Sequence, residues 1–61
     1  MDRYYVNFEY NDGEVIKRVY LGDFDTVQNK VMREIRMNLT KLSKVTYYDS
    51  NKVYIKSITI S

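Results

Sequence analysis

One stretch of this chain has the apolar spacing of a helix, and it lies between two stretches that are typical of β-hairpins. From Val27 to Leu42 apolar residues recur at intervals of four and three, which predicts about four helical turns with one apolar stripe. With 61 residues the chain is expected to form a single domain, 1–61, because so small a core accommodates one helix against one sheet. The segments therefore predict the order strand, strand, helix, strand, strand.

The first hairpin has Asp12-Gly13 as its predicted turn, because Asp-Gly supplies the positive φ values that a two-residue turn requires. This turn pairs Val6 with Val19 and collects apolar residues on one face. A three-residue loop, 11–13, would instead pair Val6 with Arg18 and mix the faces. Since a slip of one residue exchanges the two faces of a strand, we expect the two-residue turn.

The second hairpin is predicted from two stretches rich in Val, Ile, Thr and Tyr, Val45–Asp49 and Val53–Ile60, on either side of Ser50-Asn51. In this register Tyr48 faces Val53. The last stretch has apolar residues on both of its faces, which is typical of a central strand.

The fold class that these elements predict is α+β, with ββαββ order, a four-stranded mixed sheet and one helix packed on one face. A right-handed crossover would bring the first and last strands together, parallel, in the middle of the sheet. This layout resembles the β-grasp fold, and the segment Thr46–Ile55 is similar to the second hairpin of the immunoglobulin-binding domains of protein G. The resemblance concerns architecture, and immunoglobulin binding is not carried over from it.

Catalytic chemistry has little to draw on, because the chain contains no Cys and no His and therefore no thiolate nucleophile or imidazole base. The sharpest motif, Asp23-Phe24-Asp25, resembles the aspartyl motif of haloacid-dehalogenase-type phosphatases, whose large parallel sheet cannot be built from this chain. We interpret it as the start of the helix, with Asp25 or Thr26 as N-cap. We expect no enzyme activity, no cofactor and no metal site.

Composition points to the origin of the chain. Ala and Pro are absent, whereas Phe, Tyr, Asn, Ile and Lys, which have AT-rich codons, make up 25 of the 61 residues. This favours a low-GC bacterium, or a phage or other mobile element living in one. No apolar run reaches the roughly 20 residues that span a bilayer, and the first residues lack a secretory signal, so we expect a cytoplasmic protein without membrane contact.

Seven tyrosines are the most unusual feature of the predicted surface. One helix covers only one face of a four-stranded sheet, so the predicted register leaves a Tyr-rich face uncovered, and such a face is typical of an interface. We expect a protein partner, such as a host enzyme, to bind there, and a homodimer through this face or an edge strand is a further expectation. The predicted contact residues are Tyr5, Ile16, Arg18, Tyr20 and Tyr48.

Charge is divided unevenly along the chain, with a net charge of −3 over residues 1–25 and +5 over residues 26–61. Basic residues collect on the predicted helix, which gives a second candidate contact surface formed by Arg33, Arg36, Met37 and Lys41. A basic face also suits nucleic acid, the alternative hypothesis. The residues predicted for that role are Lys30, Arg33, Arg36, Lys41 and Lys44.

Overall fold

The computed structural model describes residues 2–60 and confirms the predicted α+β class with its ββαββ order. The elements are β1 Arg3–Tyr10, β2 Val15–Leu21, α1 Phe24–Met37, β3 Leu42–Tyr48 and β4 Tyr54–Thr59. All four strands form one sheet, and α1 packs on one side of it.

The order of strands in the sheet is β2-β1-β3-β4, and every neighbouring pair is antiparallel. The mixed sheet with parallel first and last strands in its centre was therefore wrong, although one helix on a four-stranded sheet is compatible with a β-grasp-like layout. The reason lies in burial. Leu42, Val45 and Tyr47 of β3 are fully buried, whereas no residue of β4 is, so β3 takes the central place beside β1.

The first hairpin has the three-residue loop 11–13 and not the predicted two-residue turn. The Tyr10 N–H donates to the Glu14 carbonyl at 2.8 Å, and the Gly13 N–H donates to the Tyr10 carbonyl at 3.0 Å, with Gly13 at φ 91°. A turn followed by a glycine at positive φ is the usual form of a three-residue hairpin loop. Asn11 is held in this loop by the residues that follow α1, because its N–H donates to the Lys41 carbonyl at 2.8 Å.

This change of one residue in register exchanges the two faces of β2. Ile16 pairs with Phe8 and Tyr20 pairs with Tyr4, on the side of the sheet that α1 covers, and Arg18 lies on the same side. The predicted positions of Ile16, Arg18 and Tyr20 on the uncovered face are therefore wrong. The uncovered side of β2 instead carries Val15, Lys17, Val19 and Leu21.

The helix α1 begins two or three residues earlier than predicted and is shorter. Asp23 is its N-cap, since one carboxylate oxygen accepts the Thr26 N–H at 2.8 Å. Asn38 caps its C-terminus, so the predicted apolar stripe stops at Ile35, the last buried residue of the helix. Leu42, which the spacing assigned to the helix, is the first residue of β3.

The second hairpin repeats the loop of the first. The Asp49 N–H donates to the Val53 carbonyl and the Lys52 N–H to the Asp49 carbonyl, both at 2.9 Å. Lys52 has φ 64° and so occupies the position that Gly13 has in the first loop. Tyr48 accordingly pairs with Tyr54 rather than with Val53 as predicted, and the register shifts at Ile55, next to this pair.

The core lies between α1 and the sheet, and Tyr47 is its largest fully buried side chain. Its ring packs against Phe24, with ring centroids 5.6 Å apart. The hydroxyl groups of Tyr47 and Tyr20 are buried, and neither has a hydrogen-bond partner among residues 2–60. Burial raises the pKa of both hydroxyls above the usual 10.0, because it disfavours the charged phenolate.

We expect Tyr47→Phe to raise the free energy of unfolding by about 1 kcal/mol, because it removes a buried hydroxyl without a partner and keeps the ring. Because the pKa of Tyr47 is raised in the folded state, ionisation of this group leaves the free energy of unfolding of the wild type unchanged below pH 10.0 and lowers it as pH rises through the folded-state pKa. Urea unfolding from neutral to alkaline pH should therefore show a smaller loss in Tyr47→Phe than in wild type. A lower free energy of unfolding at neutral pH for Tyr47→Phe than for wild type would contradict this prediction.

Substitutions at the two positive-φ positions of the hairpin loops should change the free energy of unfolding in opposite directions. Lys52→Gly should gain up to about 1 kcal/mol in the free energy of unfolding, because glycine adopts this backbone without steric cost. Gly13→Ala should lose about as much, and the loss reports backbone strain alone, since an added Cβ meets no atom within 4 Å. Urea unfolding of both variants, with Lys52→Asn as a control that tolerates this backbone, measures the two effects.

Candidate interaction surface

The side of the sheet opposite α1 is uncovered, and we call it the open face. The pairing of the strands places alternate residues of each strand on it. Its members are Arg3, Tyr5, Asn7 and Glu9 from β1, Val15, Lys17, Val19 and Leu21 from β2, Lys44, Thr46 and Tyr48 from β3, and Tyr54, Ser57 and Thr59 from β4.

Three tyrosines form the aromatic part of the open face. Tyr5 and Tyr48 are direct cross-strand neighbours on β1 and β3. Tyr48 meets Tyr54 edge to face, with ring centroids 6.4 Å apart and an interplanar angle of 78°. The Tyr54 hydroxyl is 2.8 Å from the Ser57 hydroxyl, which fixes the ring although 59% of the residue is exposed. The open face therefore presents a row of three tyrosines on three adjacent strands.

A shallow depression of about 220 Å³ lies beside this row, and its lining includes Tyr5, Asn7, Lys17, Tyr48 and Lys52. The Lys52 ammonium lies 5.3 Å from the centroid of the Tyr5 ring, within the range of a cation–π contact. The backbone of Lys52 has a positive φ, which is strained for a residue other than glycine. The strained residue is thus the one whose ammonium group lies at the edge of the tyrosine row. The depression combines an aromatic wall, an amide and two ammonium groups.

A row of aliphatic side chains lies on the β2 part of the open face. Val15, Val19 and Leu21 are 47%, 55% and 51% exposed. This row was not predicted from the sequence, because a two-residue turn would direct these three residues towards the core. The signal that could have found them is the position of Gly13 at the end of the loop, since a glycine there is typical of a three-residue loop.

The open face has a positive balance of charge. Its basic residues are Arg3, Lys17 and Lys44, and Lys52 lies at its border. Among the strand residues assigned to the open face, Glu9 is the one acidic residue. Lys44 pairs with Glu9 and with Thr59, and so lies on the opposite side of the sheet from α1. The five basic residues predicted for nucleic acid binding therefore do not form one surface.

The structure brings together only part of the predicted sheet contact. Tyr5 and Tyr48 lie on the open face, as expected, and the pairing of β1 with β3, which was not predicted, makes them neighbours. Ile16 and Tyr20 pack against the core on the other side of the sheet, and the Arg18 guanidinium there lies 6.0 Å from the centroid of the Phe8 ring. Tyr54, the third tyrosine of the open face, was not among the predicted contact residues.

The second predicted surface consists of exposed residues. Arg33, Arg36 and Met37 are exposed on α1, where Met37 is 75% exposed, and Lys41 is exposed in the turn that follows. Lys30 is exposed on the same helix. These side chains surround a solvated helix face, and Met37 is the one large apolar group of α1 that is exposed.

The acidic motif at the start of α1 has a structural role in helix capping. The hydrogen bond from the Thr26 backbone lowers the pKa of Asp23, since it favours the charged carboxylate. Within residues 2–60 there is no group of three or more His, Cys, Asp or Glu side chains that could hold a metal ion. No helix in the same part of the chain is long and apolar enough to cross a membrane.

Comparison of the chain with protein-family models, with curated proteins and with solved structures finds no match.

Proposed function

We propose that this chain is a small non-enzymatic protein-interaction module that binds a protein partner through the open face. The observation that carries the proposal is the row formed by Tyr5, Tyr48 and Tyr54 beside an uncovered aliphatic row. Tyrosine supplies a large contact area with few rotatable bonds, so it loses little entropy when a partner orders it. Uncovered apolar surface of this kind is typical of interaction sites.

The aliphatic row favours a protein as the partner. Val15, Val19 and Leu21 offer methyl groups, which pack against the apolar side chains of a protein and form neither stacking nor phosphate contacts. The positive balance of the open face favours a partner with acidic residues around its apolar contacts. The AT-rich composition supports a mobile element as the origin, and a host protein, such as an enzyme that the module inhibits, as the partner.

A single-stranded nucleic acid is the second candidate, and one observation favours it. Lys17, Lys44 and Lys52 lie on or beside the face that carries the tyrosines, so stacking groups and phosphate-binding groups occur on the same side of the sheet. The basic residues predicted from the sequence for nucleic acid lie mainly on the helix, away from the tyrosines. In this second candidate the open face, and not α1, contacts the strand.

A pair of matched double variants tests the proposed surface. We expect Tyr5→Ser with Tyr48→Ser to abolish capture of a specific protein from a lysate of the source host, because it removes the aromatic contact area. The control, Arg33→Ser with Met37→Ser on α1, should capture as wild type does. Circular dichroism melting of both variants checks that they fold. Loss of capture in the α1 variant alone would place the contact on the helix and contradict the proposal.

A gel shift with single-stranded DNA and RNA tests the second candidate. Phosphate binding by Lys17, Lys44 and Lys52 predicts an affinity that falls linearly on logarithmic axes as the salt concentration rises. For a protein-binding module we expect no specific shift at physiological salt. A strong shift that is lost in Tyr5→Ser with Tyr48→Ser would assign the open face to nucleic acid.

A further inference from the structure

We infer that the free edge of β2 accepts an extended acidic segment of the partner as a fifth strand of the sheet. This inference rests on the proposed function, since β2 borders the open face and supplies its aliphatic row. It adds the chemical character of the partner segment and the way in which that segment binds.

The backbone of β2 has the geometry that strand addition requires. β2 is the outermost strand, and its ladder with β1 is closed at one end by Tyr10 N–H to Glu14 O and at the other by Gly22 N–H to Asp2 O. Antiparallel pairs alternate between hydrogen-bonded and non-hydrogen-bonded positions. The N–H and C=O groups of the non-hydrogen-bonded positions therefore point away from β1, and these positions are Val15, Lys17, Val19 and Leu21.

The two edges of the sheet differ. The pairing of β2 with β1 runs without a shift in register over the whole of β2, and β2 contains no proline. The pairing of β4 with β3 shifts at Ile55, and bulges of this kind protect an edge from further pairing. β2 is thus the regular edge, the one to which a strand of seven residues can be added.

The charges of β2 select the added strand. Lys17 and Arg18 lie at the middle of the strand, one on each side of the sheet, and no acidic residue lies within Val15–Leu21. An added strand with two consecutive acidic residues would place one carboxylate near each cation. A second copy of this chain fits less well, because the antiparallel register that pairs all seven residues brings Arg18 opposite Arg18, and like charges directly opposite are destabilising.

The side chains of β2 define the rest of the segment. Val15, Val19 and Leu21 are about half exposed on the open face, and alternate side chains of an added strand would lie beside them. The fitting segment therefore has apolar residues on its open-face side and an acidic pair near its centre.

The test uses two synthetic peptides with capped ends, Val-Thr-Val-Glu-Asp-Thr-Val-Thr and the same peptide with Lys-Lys in place of Glu-Asp. In an NMR titration of the wild-type protein, we expect the acidic peptide to shift the backbone amide signals of Val15, Lys17, Val19 and Leu21. The lysine peptide should bind more weakly by about tenfold or more. Equal binding of the two peptides, or no shift in these amides at millimolar peptide, would overturn the inference.

Val19→Pro separates strand addition from other contacts. Proline removes an N–H that points away from β1, so the ladder within the sheet stays intact while one bond to the added strand is lost. We expect Val19→Pro to weaken the acidic peptide about tenfold or more, whereas the matched control Val19→Thr, which keeps the N–H, binds as wild type does. Should Val19→Pro fail to fold, the acidic peptide methylated on the backbone nitrogens that would face β2 takes its place, because it lacks the N–H groups that an added strand donates. Binding of this methylated peptide equal to that of the unmethylated one would overturn strand addition.

The outcomes distinguish this inference from the proposed function. Capture of the host protein that is lost in Tyr5→Ser with Tyr48→Ser but unchanged in Val19→Pro would overturn strand addition and leave the open face as the contact. Capture that is unaffected by the tyrosine changes would overturn the proposed function itself. An acidic peptide that shifts only the signals of Tyr5, Tyr48 and Tyr54 would also overturn strand addition.

Discussion

The antiparallel pairing of β1 with β3 determines where every other element of this protein lies. It joins Val6 to Tyr47 and Phe8 to Val45, four buried residues that form the floor of the core. The helix α1 covers this floor with Val31 and its neighbours at intervals of four. Because the central positions are taken, β2 and β4 become the edges, and the regular edge of β2 and the uncovered side of the sheet are left for binding.

The sequence predicts the elements of this fold better than their pairing. The helix is evident because Val27, Val31 and Ile35 repeat at its period, and the strands are evident from their composition. The positions of the strands in the sheet depend on which of β3 and β4 buries more surface, and apolar residues on both faces of the last strand suggested the wrong one. Long-range packing, which local spacing does not encode, decided in favour of β3.

The residues of the candidate site could be predicted from the sequence where their positions do not depend on the length of the first hairpin loop. Tyr5 and Tyr48 lie where expected, because each alternates with a buried neighbour in its own strand. The residues of β2 were assigned to the wrong faces because Asp12-Gly13 suits a two-residue turn and also the end of a three-residue loop. Local turn preference could not choose between the two, whereas the bond from Asn11 to the Lys41 carbonyl, 30 residues along the chain, could.

The residue at position 52 is subject to two opposing requirements, backbone stability and recognition by the open face. Its backbone adopts the left-handed region that glycine occupies in the other hairpin loop, while its ammonium lies over the ring of Tyr5. Selection for stability alone would drive this position towards glycine, since glycine adopts a positive φ without steric cost. Selection for recognition by the open face would retain lysine. Among natural variants of this chain, the residue at this one position would therefore record which of the two pressures has acted.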